Sequence, residues 1–141
     1  MSKEPYKAGI IKNNIFVEKR DIVGRIVALI DLALDSRSLE LIIPRSRVIL
    51  ASEIHELLLT DEEDAGPGET VNHVLVIGFF EIEIGGVMVV GDKVRIGNEL
   101  IGEIAGFDMT HMPNHMNVVL KSSRFSRSGA KMGERIFISG T

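Results

Sequence analysis

Phe80-Glu81-Ile82-Glu83-Ile84-Gly85-Gly86-Val87-Met88-Val89-Val90-Gly91-Asp92-Lys93-Val94-Arg95-Ile96-Gly97-Asn98 is the stretch on which the fold turns. Phe80, Ile82 and Ile84 alternate with Glu81 and Glu83, a period of two that puts one strand face in a core and the other in water. Gly85-Gly86 ends that run. Val87 to Val90 is a short β-branched stretch closed by a Gly91-Asp92 turn. Lys93 to Ile96 alternates again, and Gly97-Asn98 supplies the positive φ of a two-residue hairpin. The return strand runs from Glu99 to Ala105, with a bulge or a close backbone approach expected at Gly102. Val118-Val119-Leu120 and Ile136-Phe137-Ile138 are two further strands. Short strands at this spacing, separated by glycine turns, predict a small antiparallel β-barrel or sandwich.

Working outward, the N-terminal half is less regular. Ile10 to Val17 reads as a strand or strand pair. Gly24 to Leu34 fits helical and strand spacing equally well. The turn-like Asp35-Ser36-Arg37-Ser38 favours a strand, with Leu39 to Ile43 as its return and Pro44 as its stop. Ser52 is placed to cap a short helix from Glu53 to Leu59. Asp61-Glu62-Glu63-Asp64-Ala65-Gly66-Pro67-Gly68-Glu69 is an acidic run joined to a Gly-Pro turn, read as a solvated loop at about residues 60–70. The halves on either side are each small for an independent core, so residues 1–141 are expected to form a single domain. The expected fold is mostly β, with one or two short helices.

Composition narrows the classes. Hydrophobic residues make up 45% and charged residues 26%, which excludes disorder of the whole chain. The absence of cysteine excludes disulfides, thiolate metal sites and a cysteine nucleophile. A net charge of −4 argues against nucleic acid as a partner. No apolar stretch reaches bilayer length, so no membrane partner and a cytoplasmic location are expected. The uncharged Val87 to Val90 run needs a cover, for which a homo-oligomer is one source.

Chemistry concentrates in Asp108-Met109-Thr110-His111-Met112-Pro113-Asn114-His115-Met116-Asn117. His111 and His115 have metal-ligand spacing, but Pro113 breaks the helix that would align them. In a loop they can still converge with Asp108, and a metal would need a further ligand such as His73. The alternative is a polar loop whose methionines fill gaps in the core. His73, at a strand start, is a candidate nucleophile or base; His55 is expected at the surface. Arg45 and Arg47 form one basic cluster. Lys121, Arg124 and Arg127, among four serines, form a second that suits a small anionic or sugar-like ligand. Asp108, His111, His115, Asn117, Arg124 and Arg127 are therefore the ligand-binding candidates. No cofactor motif occurs, and the cofactor is left unknown.

From the Gly91-Asp92 turn onward the chain resembles the glucitol/sorbitol-specific IIA component of the bacterial phosphotransferase system. The resemblance rests on Gly91-Asp92-x-Val94-x-Ile96-Gly97, Ile101-Gly102-Glu103-Ile104-Ala105-Gly106, His115-Met116-Asn117-Val118-Val119-Leu120, Gly133 and Ile136-Phe137-Ile138, over about residues 70–141. It implies a small β-barrel phosphocarrier whose phosphorylated histidine stands shortly before the Gly-Asp turn. The matching stretch here, Gly78-Phe79-Phe80-Glu81, holds none, and His73 stands several residues earlier. Three functions follow as expectations: a binding or regulatory module without phosphotransfer, a metal-binding protein or metal-dependent enzyme using His111 and His115, and a phosphocarrier using His73.

Overall fold

The structure, a computed structural model, describes residues 16, 18–126 and 129–140. The eleven strands are β1 (Ile22–Leu34), β2 (Leu39–Glu40), β3 (Ser46–Ile49), β4 (Ile54–Thr60), β5 (Thr70–Val71), β6 (Val74–Ile84), β7 (Gly86–Val89), β8 (Lys93–Ile96), β9 (Glu99–Asp108), β10 (Asn117–Lys121) and β11 (Arg135–Ser139). Seven of them close a barrel in the order β1-β11-β8-β9-β10-β4-β6, with β6 pairing back onto β1. The mostly-β expectation and the strand assignment of residues 24–34 hold. The stretch Ile10 to Val17, apart from Phe16, lies outside the described residues.

Three expectations are corrected. There is no helix among the described residues: Glu53 to Leu59 is mostly β4, and Ser52 has a φ of 76°, which suits a turn rather than an N-cap. The apolar Leu57-Leu58-Leu59 run reads equally as helix or strand because both of its faces are buried. The barrel is also not wholly antiparallel. A closed ring of seven strands cannot alternate direction all the way round, and the odd strand is accommodated by the parallel pair β10–β4. Finally, Leu39 to Ile43 is not the return of β1. Leu39 and Glu40 pair with β5, and Leu41 bridges Asp108.

The apolar runs are explained by two layers. Leu57, Leu59, Leu75, Ile77, Val118, Leu120 and Ile104 fill the barrel interior. Their alternating neighbours Leu58, Val76, Val119 and Ala105 face a second cluster with Leu39, Leu41, Ala65 and Val71. Strands covered on both faces read as continuous hydrophobic runs. Each fully buried leucine contributes about 2 kcal/mol of burial free energy.

The hairpin at Gly97-Asn98 forms as expected, with Gly97 at φ 60°. Gly102 is a close approach: an added methyl there would lie 2.7 Å from the Lys121 carbonyl oxygen. The Gly91-Asp92 turn carries a buried carboxylate, which accepts from the Val89 N–H at 2.9 Å and from the Lys19 ammonium at 2.6 Å. Burial pushes the Asp92 carboxyl above its usual range, opposed by those two donors. The Val87 to Val90 run is covered within the chain, because β7 pairs with β3.

The tightest point is in the antiparallel pairing of β1 with β6. Gly78 has a φ of 153°, and an added methyl would stand 1.9 Å from the Ala28 carbonyl oxygen. Gly78→Ala is expected to cost about 3 kcal/mol, from overpacking and backbone strain together. Gly66→Ala, whose nearest contact would be 3.9 Å away, is the control and should be nearly neutral. Urea unfolding checks both, and equal midpoints would refute the seam's role.

Candidate functional site

Strand register lines up four residues across neighbouring strands. Phe79 of β6 pairs with Glu56 of β4, Glu56 with Asn117 of β10, and Asn117 with Asp108 of β9. Glu56 and Asn117 share strand phase with Leu58 and Val119, so the row lies on the barrel's outer face. The loop from Met109 to Met116 covers it. His115 Nε2 lies 3.1 Å from Glu56 Oε1, and its Nδ1 lies 2.8 Å from Asn114 Oδ1. The His115 ring meets the edge of Phe79 and stacks at 5.1 Å on His111. Arg37 donates to His111 Nε2 at 3.1 Å.

His111 and His115 thus meet ring to ring, with both His115 nitrogens and the His111 Nε2 engaged. A guanidinium at His111 Nε2 opposes a second cation there by like-charge repulsion. Asp108 is fully buried and acts as a loop clamp. It accepts from the N–H groups of Glu40 at 2.8 Å and Thr110 at 2.9 Å, and from the Asn117 amide at 3.3 Å. Burial alone would raise its pKa, and these donors with the Thr110 hydroxyl outweigh that and hold it below the usual carboxylate range. The described residues contain no group of three His, Asp or Glu arranged to hold a metal ion. Asn117, a binding candidate, is wholly buried within the row, out of reach of a ligand. Met116 does fill the core, whereas Met112 is exposed.

His55 corrects another expectation, since it is buried rather than at the surface. It sits on the inner face of β4, where its Nδ1 accepts the Met116 N–H at 2.9 Å and its Nε2 lies 3.3 Å from Glu53. Burial lowers its pKa, and Glu53 offsets this only in part.

His73 lies in a separate cluster. Its Nδ1–H donates to Asp61 at 2.8 Å, its Nε2 lies 3.5 Å from Asp35, and its ring stacks at 4.2 Å on Phe125. The Glu62 carboxylate accepts from the His73 and Asn72 N–H groups. The acidic loop thus folds back on the chain and is not simply solvated. The Asp61 hydrogen bond, with Asp35 and Glu62 nearby, raises the His73 pKa.

The second basic cluster lies along an open groove of about 530 Å³, lined by Lys93, Glu103, Lys121, Ser122, Ser123 and Arg124. Lys93 pairs loosely with Glu103 at 3.5 Å, and Arg124 pairs with Glu99. Lys121 donates to the backbone carbonyls of Glu63 and Ala65, each at 3.3 Å. Sequence reading found Lys121 and Arg124 but missed Lys93. The hairpin signal could have found it, because the β8–β9 register places Lys93 beside Glu103 and the β9–β10 register places Glu103 beside Lys121. Arg127 lies outside the described residues.

Two histidines with opposite shifts give opposite pH responses. The His73 contribution to stability is complete below 6.5, its ordinary value, and is lost as pH rises through the raised folded value. The melting-temperature gap between wild type and His73→Gln should be widest at about pH 5.5 and narrow by about pH 9. For His55 the unfolded chain takes up a proton before the folded one as pH falls below 6.5, so stability drops. His55→Gln, which keeps an acceptor for Met116, should flatten that acid limb. Thermal melts across this range test both, and a His73→Gln gap that widens with pH contradicts the assignment.

Among the described residues, no helix is long and apolar enough to cross a membrane. No curated protein and no solved structure matches the chain. A family model matches residues 16–137, nearly the whole described region, and the chain belongs to that family, a family of unknown function designated DUF6917.

Proposed function

We propose that the protein is a binding module for a small anionic ligand, on a barrel similar in build to the phosphotransferase IIA component and acting without phosphotransfer. The observation that carries this reading is the groove in which Lys93, Lys121 and Arg124 surround the Ser122 and Ser123 positions. Ammonium and guanidinium groups suit phosphate or carboxylate oxygens, and charge-assisted hydrogen bonds are the strong ones. Serine hydroxyls and the Glu103 carboxylate suit the hydroxyl groups of a sugar-like ligand.

The surroundings of His73 favour binding over transfer. A nucleophilic imidazole needs a free nitrogen lone pair, and a raised pKa keeps both nitrogens protonated over a wider pH range. Asp35, Asp61 and Glu62 also repel an approaching phosphoryl group.

Calorimetric titration at low salt tests the reading. Inorganic phosphate and a hexose 6-phosphate should bind the wild type, and Lys121→Gln should weaken each by about tenfold, the effect of one charged hydrogen bond. Incubation with a phosphohistidine donor should leave the protein mass unchanged. Absence of anion binding, or a gain of one phosphoryl group, defeats this reading.

A further inference from the structure

Arg45 directly precedes β3, and its carbonyl accepts the Val90 N–H at 2.8 Å, which pins it beside the end of β7. Its side chain lines a second, more enclosed cleft of about 320 Å³, between the Ala65-Gly66-Pro67 turn and residues Ile104 and Ala105 of β9. Arg45 Nε is buried without a hydrogen-bond partner, and among the described residues the Arg45 guanidinium forms no ion pair. Glu103 lines this cleft too, but its carboxylate is the one that pairs with Lys93. Lys121 lines both clefts, and so does Glu103. The two basic clusters of the sequence thus meet at one lysine.

We infer that Arg45 and Lys121 form a second anion subsite continuous with the groove, so that the ligand is a small molecule carrying two anionic groups. This rests on the binding reading above and deepens it. Arg45 is half-buried, its Nε is closed off from water without an acceptor, and its planar fork fits a phosphate or carboxylate bidentately. One anionic group sits between Arg45 and Lys121, and the other faces Lys93 and Arg124. Glu103, lying between them, rejects a continuous run of negative charge and accepts from hydroxyl groups. The ligand class is therefore a hydroxylated molecule with separated anionic ends, and not a polyphosphate or a nucleic-acid strand.

The test uses the whole chain and three probes: a hexose 1,6-bisphosphate, a hexose 6-phosphate and inorganic pyrophosphate. Wild type should bind the bisphosphate at least about tenfold more tightly than either other probe, as expected when one ligand engages two linked sites. Arg45→Gln should remove that advantage and leave the monophosphate affinity within about twofold, because the groove is intact. Since the Arg45 Nε is buried without a partner among the described residues, Arg45→Gln and Arg45→Met should melt no lower than wild type without ligand. The bisphosphate should raise the melting temperature of wild type more than that of either variant. A wild type that does not prefer the bisphosphate, or an Arg45→Gln variant that keeps the preference, overturns the second subsite alone. Failure of every probe to bind wild type overturns the binding reading as well.

Discussion

The barrel closes where β1 pairs with β6, and that pairing admits no side chain at Gly78. The Ala28 carbonyl occupies the space that a Cβ would fill. β1 pairs with β6 along most of its length and with β11 near its start, so it is the strand that joins the two ends of the sheet. The same segment of β6 shifts register. Opposite β4, Ile77 is the unmatched residue of β6, and beyond it the inward-facing positions change from odd to even numbers. The first half of β6 is thereby sandwiched between two apolar layers, while Phe79 emerges on the outer face beside Glu56. The close contact with β1 at Gly78 and the bulge against β4 at Ile77 fall on consecutive residues of β6, so closure and the placement of the histidine row are set in one short segment.

Away from that seam, two buried carboxylates and one half-buried carboxylate hold the loops. Asp92 closes the turn after β7, Asp108 ties the segment after β9 to β2, and Glu62 ties the acidic loop to the start of β6. Each accepts backbone N–H groups that the ladders leave unpaired, which offsets the cost of burying charge. Acidic side chains are thus largely structural on this surface. The basic side chains behave differently: Lys93 has a loose carboxylate partner, Arg124 pairs with Glu99, Lys121 has backbone carbonyls, and the Arg45 Nε is buried without a partner among the described residues.

The sequence was most legible where period-two alternation and glycine turns coincide, from Phe80 through Ala105, and there the strands and the Gly97-Asn98 hairpin fall where expected. Legibility failed at Glu53 to Leu59, because a strand buried on both faces has no polar side to betray its period. It failed again at Leu39, whose partner is β5 about thirty residues away in the chain, because local turn chemistry does not report long-range pairing. His111 and His115 were placed together by proximity in sequence. The occupation of their nitrogens by Arg37, Glu56 and Asn114 was not readable, since Arg37, between β1 and β2, and Glu56, in β4, are distant in the chain.

By itself the sequence determined the class of the fold, its hairpins and the identity of its charged clusters, because these depend on neighbours within a few residues. Only the tertiary structure decided that the sheet closes with one parallel pair, that Asp108 and Asn117 are buried clamps, and that Arg45 and Lys121 line one cleft. Those outcomes depend on which strands meet across the barrel, a choice made by long-range packing and by the parity of a seven-stranded ring.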